Sequence, residues 1–240
     1  RQAYHEWRAP LLVNSNWWNM FLPDPCMPAE LSERVDAPAY TQEAIDLQNW
    51  DGIEYGLRRA TWITYRATLY KIALDRQTIK PDASRAGAFC MHQYSRMFGV
   101  TRIPNRPADH NTATSISAAS RHVTVLVRDN VYELPVIDEH GEIFPLTAIE
   151  KALQDIIADA KQAKGDGIPV MTCDDRDAWT KAREHLLSLG PQNRQSLQSI
   201  QTSLFVLALD CNNIGAPLGA KPNVGSEPSY SSAVGINTAG

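Results

Sequence analysis

The sequence predicts an α/β fold: a mixed β-sheet with packed helices. Three observations lead there. Two runs rich in β-branched residues, "HVTVLV" and "VYELPVI", are separated only by the turn signal "RDN", as antiparallel neighbours are. A third run, "LFVLALD", is apolar without interruption, the pattern of a central strand buried on both faces. Between these runs the apolar residues recur at helical spacing. Strands that alternate with helices but include a hairpin give a mixed sheet, not a purely parallel one.

Taken in order, residues 11–40 are irregular, because Pro23, Pro25, Pro28 and Pro38 rule out long helices. From Gln48 to Thr78 the periodicity is helical. Asp51 is the expected N-cap, and Ile53, Leu57, Ala60, Ile63, Ala67, Tyr70 and Leu74 form the expected buried face, with Pro81 as the stop. "FCMHQYSRMFG" predicts a second helix that buries Cys90, Gln93, Tyr94, Met97 and Phe98 and ends at Gly99 in the left-handed conformation. Pro104 and Pro107 keep the next stretch extended. The hairpin follows over residues 121–137. Thr147 and Glu150 have capping-box spacing for a helix that buries Ile149, Leu153, Ile156 and Ile157. "GDGIPVMTC" reads as a loop and short strand. "DDRDAWTKAREHLLSLG" is a helix with an acidic start, closed by Gly190-Pro191, and "NRQSLQSIQTS" is another. The last thirty residues, rich in Gly, Pro and Ser, cannot offset the entropy of ordering and are expected to be a flexible loop. The domain expectation is therefore an incomplete N-terminal domain over 1–209 and that loop over 210–240. The chain begins at Arg1, inside a motif, and is expected to be a piece trimmed at both ends.

Composition excludes several classes. Net charge is −4 with acids and bases intermixed, so no nucleic-acid partner is expected. No apolar run reaches the ~18 residues of a membrane helix, so no transmembrane segment is expected. Cys26, Cys90, Cys173 and Cys211 are far apart and read as reduced thiols of an intracellular protein, with no metal site. The six histidines, His5, His92, His110, His122, His140 and His185, lack a neighbouring Cys or Ser in an activating motif. No G-x-S-x-G, P-loop, H-E-x-x-H or G-x-G-x-x-G sequence occurs. From the residues alone, this is an α/β domain without a legible reactive centre.

Four segments add more. "AYHEWRAPLLVNSNWW", "CMHQYSRMFGVTRIP", "RHVTVLVRDNVYELPVID" and "DDRDAWTKAREHLLSLGPQNRQSLQSIQTSLFVLALD" resemble, in the same order, segments of the choline/carnitine O-acyltransferase family. Within it "LLVNSNWW" and "RMFGVTRIP" are most similar to the fungal carnitine acetyltransferase branch, and long-chain carnitine acyltransferases share "VNSN" and much of "RMF…TRIP".

The resemblance implies reversible acyl transfer between coenzyme A and the carnitine hydroxyl. A histidine serves as general base, no metal or redox cofactor is needed, and acetyl-CoA is a substrate, not a cofactor. It implies two similar α/β domains with a tunnel between them, and a mitochondrial, peroxisomal or cytosolic location. It places the catalytic histidine in a Glu-His-x-x-x-Glu/Asp-Gly motif after the "LFVLALD" strand, and this chain has no such motif. Glu184-His185 has Leu189 where the acid belongs, and Glu139-His140 is a turn. No catalytic residue is therefore expected here. The one substrate-binding candidate that the resemblance supplies is Tyr4, at the carnitine end of the tunnel. Arg8 and Arg102 match family arginines and are expected in structural ion pairs. The alternatives are a non-catalytic scaffold or binding module and a longer-chain carnitine acyltransferase.

Overall fold

The computed structural model describes residues 2–11, 26, 53–113, 120–127, 129–165, 167–209 and 236–237. Helix α1 spans Gln2–Glu6, α2 Ile53–Asp75, α3 Leu146–Gln162, α4 Arg176–Leu189 and α5 Pro191–Thr202. The strands are β1 Ala83–Ser84, β2 Gly87–Ala88, β3 Val100–Ile103, β4 His110–Ala113, β5 His122–Val127, β6 Asn130–Pro135, β7 Val206–Leu209 and β8 Ile236–Asn237.

The main sheet has the order β6-β5-β7-β8. The predicted hairpin is present, with Val125 opposite Tyr132 and His122 opposite Pro135. β7 lies parallel to β5, Val125 opposite Leu207, and β8 runs antiparallel to β7. The class is therefore mixed α/β, and the "LFVLALD" run is a central strand. On one face of the sheet Val123, Val125, Val127 and Leu207 pack with Leu57 and Ala60 of α2 and with Ile149, Leu153, Ile157 and Ala160 of α3. Alternate strand positions supply one face, which is why Val123, Val125 and Val127 of β5 all enter the core. The opposite face meets α5 at His122, whose Nε2 donates to the Ser199 carbonyl at 2.8 Å. Three exposed or half-exposed groups, Val131, Glu133 and Pro135, mark β6 as the outer edge.

Several expectations are corrected. In α2 the buried face is Leu57, Ala60, Thr61, Thr64, Thr68 and Lys71, while Ile63, Ala67 and Leu74 are half-exposed and Tyr70 is exposed. Threonine is cheap to bury on a helix because its hydroxyl can return to the preceding turn: Thr61 Oγ1 donates to Leu57 O at 2.9 Å and Thr68 Oγ1 to Thr64 O at 2.8 Å. The Thr147–Glu150 capping box does not form. Pro145 is the N-cap, so Thr147 already lies in the first turn, and the Pro145 carbonyl accepts from Ala148 and Ile149 N–H. The Ile168–Cys173 stretch is a 3-10 turn, not a strand, entered through Gly167 at φ +67° and Pro169, which has no N–H for a ladder.

The segment "MHQYSR", Met91–Arg96, is likewise a 3-10 turn, not a full α-helix. Within it Ser95 Oγ donates to His92 O at 2.6 Å, a local side-chain bond to the backbone, and Tyr94 Oη ties the turn to Asp82 Oδ2 at 2.6 Å. Cys90, Gln93 and Met97 are exposed, contrary to expectation, and Phe98 is half-buried between Tyr70 and Phe205. Gly99 takes the left-handed conformation as expected, φ +64°, and donates to Leu204 O at 2.9 Å. Phe98→Ala is accordingly expected to cost about 2–3 kcal/mol, below the ~3–5 kcal/mol of a fully buried aromatic, and Met97→Ala no more than about 0.5 kcal/mol. Urea titrations of the two variants check the ranking; equal losses would show the face to be misassigned.

The expectations for residues 12–25, 27–52, Cys211 and the Gly/Pro/Ser-rich tail lie outside the described residues, apart from Ile236 and Asn237 on the sheet. Cys26, Cys90 and Cys173 are free thiols. No helix among the described residues is long and apolar enough to cross a membrane.

Candidate functional site

A charged cluster ties the N-terminal segment to the body of the fold. At its centre is the Asp109 carboxylate, just before β4, with its side chain fully buried. Oδ2 accepts from Arg102 Nε and from Arg176 Nε, both at 2.7 Å, and Oδ1 accepts from Arg8 Nη1 at 2.8 Å and Asn105 N–H at 3.2 Å. Arg102 and Arg176 are themselves almost fully enclosed, 5% and 7% exposed. A second carboxylate, Asp177, accepts from Arg8 Nε at 3.2 Å and from Arg106 Nε at 3.1 Å at the rim. Four guanidiniums thus meet two carboxylates, an excess of two positive charges within the cluster. Among the described residues Arg102 Nη1, Arg176 Nη2 and His5 Nδ1 are buried without a hydrogen-bond partner.

Local structure explains how these groups arrive together. Arg102 is fixed on β3, whose register with β4 sets it opposite Asn111. Arg176 and Asp177 begin α4, where Asp175 caps the helix by accepting from Asp177 N–H and Ala178 N–H at 2.8 Å, as its acidic start predicts. Main-chain bonds complete the attachment: Asp109 N–H to His5 O and Arg176 N–H to Arg8 O, both 2.9 Å. Burial pushes the Asp109 carboxyl up, but hydrogen bonds from Arg102, Arg176 and the Asn105 N–H outweigh it, and the net position is below the usual value.

Tyr4 sits on this cluster. It is 48% exposed, its carbonyl accepts from Arg102 Nη2 at 2.8 Å, and the Arg102 guanidinium carbon lies 4.2 Å from its ring centroid. The His5 ring meets it edge-on at 5.3 Å. Arg8 and Arg102 are in ion pairs, as expected. Sequence reasoning did not reach Asp109, Arg106 or Asp177, or the pairing of Arg176. Arg176 lies in the quoted segment "DDRDAW", but nothing local to it marks the arginine or its partner.

Among the described residues His122 Nε2 lies 3.3 Å from Ser199 Oγ, but it donates to the Ser199 carbonyl and the hydroxyl donates to Glu133 Oε2, so the pair is not a base activating a nucleophile. His140 and Glu139 touch at 3.5 Å on an exposed turn, and His185 is exposed on α4. Asp138 explains that turn, its Oδ1 accepting from His140 N–H and Glu142 N–H. His122 uses its Nε2 on α5, as above.

Fold and site together define an α/β scaffold whose N-terminal aromatic is held at the surface by a buried arginine–carboxylate cluster. The chain belongs to the choline/carnitine O-acyltransferase family, whose model matches residues 1–237. It is similar to the human protein named carnitine O-palmitoyltransferase 2, mitochondrial, with 34% identity over 120 residues, 50% of this chain and 18% of that one. It is also similar to a putative mitochondrial carnitine O-acetyltransferase of Saccharomyces cerevisiae, 31% over 160 residues, 64% of this chain and 23% of that one. With human carnitine O-acetyltransferase the identity is 27% over 203 residues, 82% of this chain and 30% of that one. The chain thus spans less than a third of the length of these relatives.

Proposed function

We propose that this chain is the N-terminal part of a carnitine O-acetyltransferase, which passes an acetyl group reversibly between coenzyme A and the carnitine hydroxyl. The observation that carries the reading is extent: similarity to human carnitine O-acetyltransferase covers 82% of the chain, against 50% for the palmitoyl relative. In the proposed reaction a histidine base removes the hydroxyl proton as the oxygen attacks the thioester carbonyl, and the thiolate of coenzyme A leaves. The base comes from polypeptide beyond this chain, and Tyr4 lines the acceptor end of the site. Residues 1–209 serve as the scaffold for that end. Mitochondrial, peroxisomal and cytosolic locations all fit the proposal.

A longer-chain specificity is the second reading, favoured by the 34% identity to the palmitoyl relative. The test is a series of acyl-coenzyme A substrates with the longer polypeptide. Acetyl should be preferred over palmitoyl by at least ~100-fold in kcat/KM, since a pocket built for a short acyl group excludes each added methylene at ~1–3 kcal/mol. A preference for palmitoyl would transfer the proposal to the second reading.

A further inference from the structure

We infer that Arg102 is a positioning residue, which sets the plane of the Tyr4 ring; its consequence for carnitine rests on the function proposed above. Helix α1 has five residues, too few to hold its own conformation in water, so the orientation of Tyr4 comes from tertiary contacts. Arg102 supplies several at once. Its Nη2 donates to the Tyr4 carbonyl at 2.8 Å and reaches the Trp7 carbonyl at 3.4 Å, and its guanidinium covers a face of the Tyr4 ring at 4.2 Å. The guanidinium cannot follow the ring if the ring moves. Its Nε is held by the buried Asp109 carboxylate at 2.7 Å, and its backbone is fixed in the β3–β4 ladder. Asp109 also accepts from Arg8 and Arg176, so the plane that Tyr4 rests on is anchored to α4 and to the chain after α1. This is work for a planar fork. A lysine could pair with Asp109 but could not stack and bond the carbonyl together.

The sequence motif "TRIP" then has a role besides scaffold: its arginine transmits the rigidity of the sheet edge to an aromatic on a short, otherwise weak helix. The residue does not touch the reacting atoms, so removing it should alter acceptor binding and leave acyl-donor binding alone.

The experiment has a structural and a kinetic arm. In the 240-residue chain with carbon-13-labelled tyrosine, Arg102→Lys should move the Tyr4 ring resonances toward those of an unordered tyrosine. In the reciprocal variant, Tyr4→Leu, the Arg102 δ-methylene protons should lose a ring-current shift; this surface change folds even if Arg102→Lys does not. In the longer polypeptide, Arg102→Lys should raise the KM for carnitine about tenfold, the equivalent of 1.4 kcal/mol, within reach of a desolvated cation–π contact. The KM for acetyl-CoA should stay within about twofold. Adding Arg102→Lys to Tyr4→Ala should raise the carnitine KM no further, because the arginine acts through the tyrosine. Unchanged Tyr4 and Arg102 resonances, or additive effects in the double variant, would overturn the inference. If the longer polypeptide does not use carnitine, the proposed function fails, and the resonances still decide whether Arg102 sets the ring.

Discussion

Asp109→Ala is expected to destabilise the chain by about 3–5 kcal/mol, the cost of removing one partner from a buried, hydrogen-bonded ion pair. The variant leaves Arg102 and Arg176 enclosed with no anion between them, and Arg8 loses its inner contact. That is a large share of the ~5–15 kcal/mol that holds an ordinary domain together. Asp177→Ala is the contrast. Its carboxylate and its partner Arg106 are each about half exposed, so the change should cost no more than about 1 kcal/mol. Urea midpoints at neutral pH measure both. Equal costs would mean that the buried carboxylate is not the centre of the cluster.

The same carboxylate gives the pH dependence a sign. Its folded position lies below the usual value of 3.8, so its contribution is fully present above that value and is lost as pH falls through the folded one. The chain should therefore lose stability in acid below about pH 4. In Asp109→Asn, which starts from a lower stability, this part of the acid slope should be missing. An unchanged slope would assign the acid sensitivity to other carboxylates.

The second large effect is on activity. The 240-residue chain alone is expected to transfer no acetyl group from acetyl-CoA to carnitine above the uncatalysed rate. A missing general base is worth about 10²–10⁴ in rate. Without the surfaces that hold the two substrates in attack geometry, a further ~7–11 kcal/mol of barrier returns. His140 and His185, the two histidines that follow a glutamate, are exposed. Thiol release by the purified chain, with His140→Ala and His185→Ala beside it, measures this. Turnover that disappears in either variant would identify a catalytic histidine within the chain.

What the sequence made legible follows from local physics. The β5–β6 hairpin was readable because β-branched residues and a turn sit side by side. The buried face of α3 was readable because Ile149, Leu153 and Ile157 repeat at helical spacing, and the start of α4 because Asp175 is a direct cap. The buried face of α2 was not. Its apolar residues point to one stripe, but the helix also buries Thr61 and Thr68, whose hydroxyls bond their own backbone, an option that hydrophobic spacing does not record. The "MHQYSR" turn misled for the reverse reason: its spacing is helical, but Ser95 bonds the His92 carbonyl and Tyr94 is drawn to Asp82, outside the turn.

The site was legible in part. Arg8 and Arg102 could be singled out by resemblance to the family, and their ion-pair role is borne out by the geometry. The hub could not. Asp109 lies in a polar linker 101 residues from Arg8 and 67 from Arg176, distances at which no local pattern survives. Only the fold brings them together, through β3, β4 and the start of α4.

One assay decides whether this scaffold serves carnitine acyl transfer. A longer polypeptide that contains this chain and continues through a Glu-His motif is given acetyl-CoA, and thiol release is followed with and without carnitine. Carnitine-dependent release, lost when the motif histidine becomes alanine, is the expected result. Absence of carnitine-dependent release from a folded longer polypeptide, whatever acyl chain is offered, would contradict it and leave a non-catalytic scaffold in its place.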